Sequence, residues 1–223
     1  MVNTKSLMIA AAIVVGVIAT LVILTQQNSG TNSDTVILYP TFTNAAYSTN
    51  GFYSYYRGEC DEKCLTVYVD VENSNRYNVG KRGFDALKKL GYPHVTDIEV
   101  DENLQILEKY SRVILLHNEY ITQKEFDAIT NHPFVIYLYP NALYAKVDYD
   151  KEKRTITLIR GHNYPTKDIS NGFDWELDNT RYEKNCVDEL NFYQVKNGYM
   201  TNCYPEHLTR IDPDFLKEVL SKL

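Results

Sequence analysis

The sequence predicts an α/β fold: a mostly parallel open sheet with flanking helices and an appended β-hairpin, preceded by one transmembrane helix. Three observations predict it. Two short, continuously apolar runs, residues 113–116 and 134–138, have the character of strands buried on both faces. Between them lies a helix signature: Thr122 and Glu125 at capping-box spacing, Phe126 and Ile129 on one helical face, and a stop at Asn131, His132 and Pro133. Such strand–helix–strand units close as right-handed parallel crossovers. Residues 155–160 instead alternate, Ile156 and Leu158 against Thr155 and Thr157, the period of a half-exposed antiparallel strand.

The chain has 223 residues, enough for one domain plus an anchor. Residues 7–24 carry no charge, with Gly16 and Thr20 as the interruptions. At 1.5 Å per residue they extend about 27 Å, close to the thickness of a bilayer core. The flank after Leu24 offers no small-x-small cleavage site, which favours an uncleaved anchor over a cleaved signal. Lys5 precedes the segment and the next basic residue is Arg57. That asymmetry puts residues 1–6 in the cytoplasm, 7–25 in the cell membrane, and the rest outside. Residues 26–34 read as a flexible tether and 35–223 as the extracytoplasmic α/β domain. A net charge of −6 without a basic stripe argues against nucleic acid as a partner.

Within the domain, residues 35–39 form the first strand, stopped by Pro40. Residues 41–59 are aromatic and polar without period and read as a loop. Phe42, Tyr47, Phe52, Tyr53, Tyr55 and Tyr56 make disorder a poor description of it. It is either a lid packed on the sheet or an aromatic wall over a ligand pocket. Residues 65–70 are the second strand. Residues 80–90 are a helix with Phe84, Leu87 and Leu90 on one face, ended by Gly91. Residues 94–100 are a short strand or extended link, and 102–110 a helix capped by Asp101. After the central unit come a hairpin at 145–149 and 155–160, a polar turn, and a loop-like stretch from 166 to 190. A last strand at 189–196 and an amphipathic helix at 213–223 complete the domain. The 19 tyrosines bury apolar area while keeping a polar tip, and a compositional habit accounts for them.

Both central strands break into polar residues at their carboxyl ends, the edge where open α/β sheets bind ligands. His117, Glu119 and Tyr120 are the candidate catalytic residues: a carboxylate and an imidazole to move protons, and a phenol to donate a hydrogen bond. Asn118, Tyr139, Asn141, Tyr144 and His162 are the candidate binding residues. The competing reading makes Glu119 a cap or ion-pair partner and Tyr120 a packing residue. His132 reads as structural, and His94 and His207 as surface. Cys60, Cys64, Cys186 and Cys203 are an even set outside the cell, which permits two disulfides. Local pairing, Cys60 with Cys64 and Cys186 with Cys203, is the simplest of three connectivities. Zinc, and a nucleophilic Cys203 activated by His207, are the rivals.

The segments His117-Asn118-Glu119-Tyr120-Ile121-Thr122 and Tyr139-Pro140-Asn141-Ala142-Leu143-Tyr144 resemble the class I glutamine-amidotransferase-like fold. More narrowly, they resemble the carboxyl-terminal domain of the N,N-dimethylformamidase large subunit. That family has a His-Asp-Glu-Tyr-Trp-Thr-like motif after one strand and an Asn followed by an aromatic after the next. The resemblance covers about thirty-five residues directly. In this chain Asn118 stands for the acid, Ile121 for the Trp, and Tyr139-Pro140 for the glycines before Asn141. The Gly-x-Cys-x-Gly elbow of glutaminases is missing, so glutamine hydrolysis is not expected. The resemblance implies a flavodoxin-like or amidotransferase-like sheet and, as a cofactor, iron held by tyrosine and glutamate, with Glu119 and Tyr120 at matching positions. Two function classes follow: a non-catalytic binding or scaffold module for a small-molecule or protein ligand, favoured by the altered motif, and a hydrolase acting on an amide or related small substrate.

Overall fold

The computed structural model describes residues 34–69, 80–175, 184–186, 190–205 and 212–223. The expected anchor at 7–25, the tether up to residue 33, and His207 lie outside them. Among the described residues no helix is long and apolar enough to cross a membrane. The strands are β1 (Thr35–Tyr39), β2 (Thr66–Tyr68), β3 (His94–Thr96), β4 (Arg112–Leu115), β5 (Tyr120–Ile121), β6 (Val135–Tyr137), β7 (Ala145–Asp150), β8 (Thr155–Arg160), β9 (Phe192–Val195) and β10 (Gly198–Thr201). The α-helices are α1 (Thr41–Ala46), α2 (Phe52–Tyr56), α3 (Lys81–Lys89), α4 (Asp97–Glu102), α5 (Gln123–Asn131) and α6 (Pro213–Leu220).

Six strands make the main sheet in the order β3-β1-β4-β6-β10-β9, parallel throughout except for the β10–β9 pair. The fold is thus mixed α/β with a mostly parallel main sheet and flanking helices. Alternate residues of its central strands are buried on opposite faces. Val36, Leu38, Val113, Leu115, Val135 and Tyr137 pack with Val100 of α4, Leu107 and Ile129 of α5. Ile37, Ile114 and Ile136 pack with Ala86 and Leu87 of α3 and with Leu216 and Leu220 of α6. Full burial of each such aliphatic side chain contributes about 1.5–3 kcal/mol. Helices on both faces therefore explain why these strands are continuously apolar in sequence.

The hairpin forms as expected, with β7 and β8 antiparallel, but it is not appended to the main sheet. It belongs to a second sheet in the order β2-β8-β7-β5. The cause is β5, which continues the chain from β4 and recruits β7 in parallel, Tyr120 opposite Ala145. The inner face of this sheet, with Val67, Val147, Ile156 and Leu158, packs on Phe42 and Phe52 of α1 and α2.

Other elements differ from expectation for local reasons. Residues 41–59 hold two short helices rather than a loop, and all six residues of α1 are buried. The strand expected at 94–100 stops at Thr96, where Thr96 and Glu99 form a full capping box and open α4, so of the helix expected at 102–110 only Glu102 is α-helical. A 3₁₀ turn, Leu104–Lys109, follows it. The expected last strand continues through a tight turn into β10. Gly198 permits this with a φ of 151°, since a Cβ there would overlap the Val135 carbonyl oxygen. Cys60 pairs with Cys64 and Cys186 with Cys203, so neither zinc nor a nucleophilic Cys203 applies.

Candidate functional site

β4 and β6 are neighbours in the main sheet, and β5 and β7, the next strands after them, are neighbours in the second sheet. The chain therefore crosses between sheets twice, side by side. His117, Asn118 and Glu119 lie in the first crossing and residues 138–144 in the second. Backbone bonds lock the two together: Leu143 donates to the Asn118 carbonyl at 2.8 Å, and Tyr144 and Ala145 donate to the Glu119 carbonyl at 3.0 and 2.8 Å. This is why His117 and Asn141, 24 positions apart, come within 2.7 Å of each other.

Glu119 is the centre of the site and is only 1% exposed. The Tyr47 hydroxyl donates to its Oε2 at 2.8 Å, and the Tyr53 hydroxyl donates to Tyr47 at 2.7 Å. His162 Nε2 lies 3.2 Å from the Tyr53 oxygen and 3.6 Å from Glu119 Oε1. Because the Tyr53 proton points at Tyr47, His162 is the donor to Tyr53 and carries its proton on Nε2. The hydrogen bonds run as a chain from His162 through Tyr53 and Tyr47 to Glu119, and the His162–Glu119 approach at 3.6 Å is beyond hydrogen-bond range. His117 Nε2 stands 3.5 Å from Glu119 Oε2. It accepts from Asn141 Nδ2, which places the His117 proton on Nδ1, and its ring stacks on Tyr139 at 4.9 Å and 4°. Around this centre, buried His117 Nδ1, Asn141 Oδ1, Tyr56 Oη and Tyr120 Oη have no hydrogen-bond partner. The Tyr120 hydroxyl approaches Tyr53 and Tyr56 closely enough to oppose, without reversing, the rise that burial gives their phenols, yet it does not reach hydrogen-bond geometry.

Electrostatics follow from burial. Desolvation, with Asn141 acting weakly against it, pulls His117 down to about 3, so it is neutral in the fold. Desolvation also lowers His162. Burial, then the Glu119 charge, pushes the phenols of Tyr47, Tyr53 and Tyr120 up, and they stay protonated as donors. Backbone strain accompanies the network: Leu143 and His162 have positive φ values of 60° and 54°. Non-glycine residues in that region cost of order 1–3 kcal/mol and gather at functional sites.

Of the residues expected from sequence, the structure brings together His117, Glu119, Asn141, Tyr139, Tyr120 and His162, with the Tyr144 ring 5.8 Å from the His162 ring. Asn118 points elsewhere: its Nδ2 donates to Asp97 Oδ1 at 2.8 Å. His132 is held by the Tyr110 and Phe134 backbone, and His94 is exposed. Sequence reasoning placed the aromatic segment over the site but did not single out Tyr47 and Tyr53 as the residues bonded into it. It missed Asp97 and Thr43, which accepts from the Tyr120 amide at 3.1 Å. The capping box that opens α4 was the readable signal near Asp97; Thr43 had none.

Iron is the metal that the resemblance implies, held by tyrosine and glutamate; a metal at Glu119 Oε2 would have to displace the Tyr47 hydroxyl, while Tyr120 Oη is buried without a hydrogen-bond partner. Among the described residues no group of three or more His, Cys, Asp and Glu is placed to hold a metal ion. Glu119 with its two imidazoles comes nearest, but Tyr47 occupies Oε2 and Asn141 occupies His117 Nε2. In comparisons with known proteins, no family model and no curated sequence matches the chain.

Proposed function

We propose that the chain is a membrane-anchored, extracytoplasmic binding module that reuses an amidotransferase-like fold, with a small polar ligand recognised at the Glu119 site and no reaction carried out there. One observation carries this reading: His117 Nδ1, Asn141 Oδ1, Tyr56 Oη and Tyr120 Oη are buried without partners around one carboxylate. A buried polar atom left unpaired costs about 1–3 kcal/mol, and several in one place are groups for a ligand to satisfy. The acid–base candidates are poorly set for turnover, since His117 is held neutral and Glu119 Oε2 is hydrogen-bonded to Tyr47. Two disulfides suit an oxidising compartment, in keeping with the uncharged 7–24 segment as an anchor.

The second reading is a hydrolase of amides or related small substrates with Glu119, His117 and Tyr120 at its centre. The strained Leu143 and His162 favour it, because strain is a feature of working active sites. A thermal-shift screen of polar small molecules over wild type and Glu119→Gln separates the two. The binding module predicts compounds that raise the melting temperature of wild type and lose that effect in the variant. Release of dimethylamine from N,N-dimethylformamide by wild type, with stoichiometric iron and both lost in Glu119→Gln, would establish the hydrolase instead.

A further inference from the structure

We infer that the ligand of the Glu119 site is a saccharide, its terminal sugar taken up beside Glu119 and the next lying against Tyr55 and Tyr164, an inference that rests on the binding reading of that site. The chemistry starts from the four buried atoms without partners: His117 Nδ1, Asn141 Oδ1, Tyr56 Oη and Tyr120 Oη. The Asn141 amide nitrogen bonds His117 Nε2 at 2.7 Å, which leaves a donor on His117 Nδ1 and an acceptor on Asn141 Oδ1. Turning that amide over exchanges the two roles and again leaves one donor and one acceptor. Each phenol has a proton to give and lone pairs that accept one. The ligand must therefore both donate and accept. An ammonium ion only donates. A carboxylate or phosphate only accepts, and would stand beside the Glu119 charge. A hydroxyl does both from one atom, and a sugar carries several of them on neighbouring carbons.

A small amide also donates and accepts, and the aromatic approach to the site decides against it. Rings run from the surface to the carboxylate. Tyr164 lies 6.1 Å from Tyr55 between centroids, Tyr55 lies 5.8 Å from Tyr56, and Tyr56 lies 5.5 Å from Tyr53. Tyr53 lies 4.3 Å from Tyr47, whose hydroxyl donates to Glu119. All five residues are half-buried, and His162 lies against Tyr56 at 4.3 Å. α2 supplies Tyr53, Tyr55 and Tyr56, so one short helix carries the middle of this band. A tyrosine pairs an apolar face with a hydroxyl tip. A sugar has the same division, with C–H groups on its face and hydroxyls at its rim, so it stacks on such rings and bonds them at once. An amide of a few atoms would meet the inner groups and leave Tyr55 and Tyr164 without a role.

Saturation-transfer NMR on the full chain, held in a detergent without a sugar headgroup, tests the inference. The probes are maltose, cellobiose, chitobiose and their monosaccharides, with N-methylacetamide, methylammonium and acetate beside them. Tyr120→Phe keeps the ring and removes a hydroxyl that bonds nothing in the protein, so it should melt no lower than wild type. At least one disaccharide should bind wild type, and Tyr120→Phe should weaken it by roughly two- to tenfold, the net effect of one hydrogen bond. Tyr55→Ala should weaken the disaccharide by roughly two- to tenfold through lost stacking and leave its monosaccharide unchanged. Failure of every saccharide to bind, or disaccharide binding that either variant leaves unchanged, overturns the inference. Binding of the amide or of an ion, lost in Glu119→Gln, would then leave the Glu119 reading standing. Silence from every probe would count against that reading as well.

Discussion

His117 and the Asp97–Glu125 pair should give stability opposite dependences on pH. His117 is a base whose value falls to about 3 in the fold. Its contribution is present above the ordinary imidazole value and is lost as pH falls from about 6.5 towards 3, by up to about 1.4 kcal/mol per pH unit. Asp97 and Glu125 are acids raised by burial. Their contribution is complete below the ordinary carboxyl range and is lost as pH rises above it, through about 7 for Asp97 and further up for Glu125. Urea unfolding across pH should therefore show His117→Gln flattening the acid limb and Glu125→Gln the alkaline limb. Unchanged limbs in both variants would show that neither group is buried as described. At this scale His117, Glu119 and Asn141 were legible, because strand ends can be read from apolar runs and parallel neighbours bring those ends together. Tyr47, Tyr53 and Asp97 were not. Each has a partner 55 to 109 positions distant, and nothing local marks such pairings.

The two disulfides should matter unequally. Cys186–Cys203 closes a separation of 17 residues, whereas Cys60–Cys64 closes one of 4. A loop of about 15 residues is worth ~3 kcal/mol in the chain-entropy model, or roughly 6–12 °C for a domain of this size. Calorimetry of Cys186→Ser/Cys203→Ser should show a fall of that order, with a smaller one for the other pair. Equal falls would contradict loop closure as the cause. The long, well-capped elements were readable: Thr122 and Glu125 announced α5, and Asp212 with Pro213 begins α6. The hairpin β9–β10 also had a signal that the reading passed over, Asn197-Gly198 between two β-prone runs. The helices α1 and α2, six and five residues long, had none. Helices that short do not form on propensity and are imposed by packing against the second sheet.

For the whole molecule, the described chain begins at Asp34, whose carbonyl accepts from the Ser111 amide at 2.8 Å at the amino-terminal edge of the main sheet. The Glu119 site lies at the opposite, carboxyl-terminal edge. The proposed anchor at residues 7–25 would put the domain, and the Glu119 site with it, in the medium outside the cell. Protease added to intact cells should digest epitopes beyond residue 26, and full protection would contradict the orientation. What the chain's linear order concealed at this scale was the second sheet: β5 is two residues long, too short to carry a strand signal, yet it decides where β7 and β8 go.

The central claim is that Glu119 is kept for recognition and not for folding. Thermal unfolding of Glu119→Gln beside wild type near pH 7 tests it most directly. The amide keeps the shape and can still accept from Tyr47, while the cost of burying a charge disappears. The account predicts a melting temperature equal to or above that of wild type. A fall of more than about 4 °C, roughly 1 kcal/mol or more for a domain of this size, would contradict it and make Glu119 a structural carboxylate.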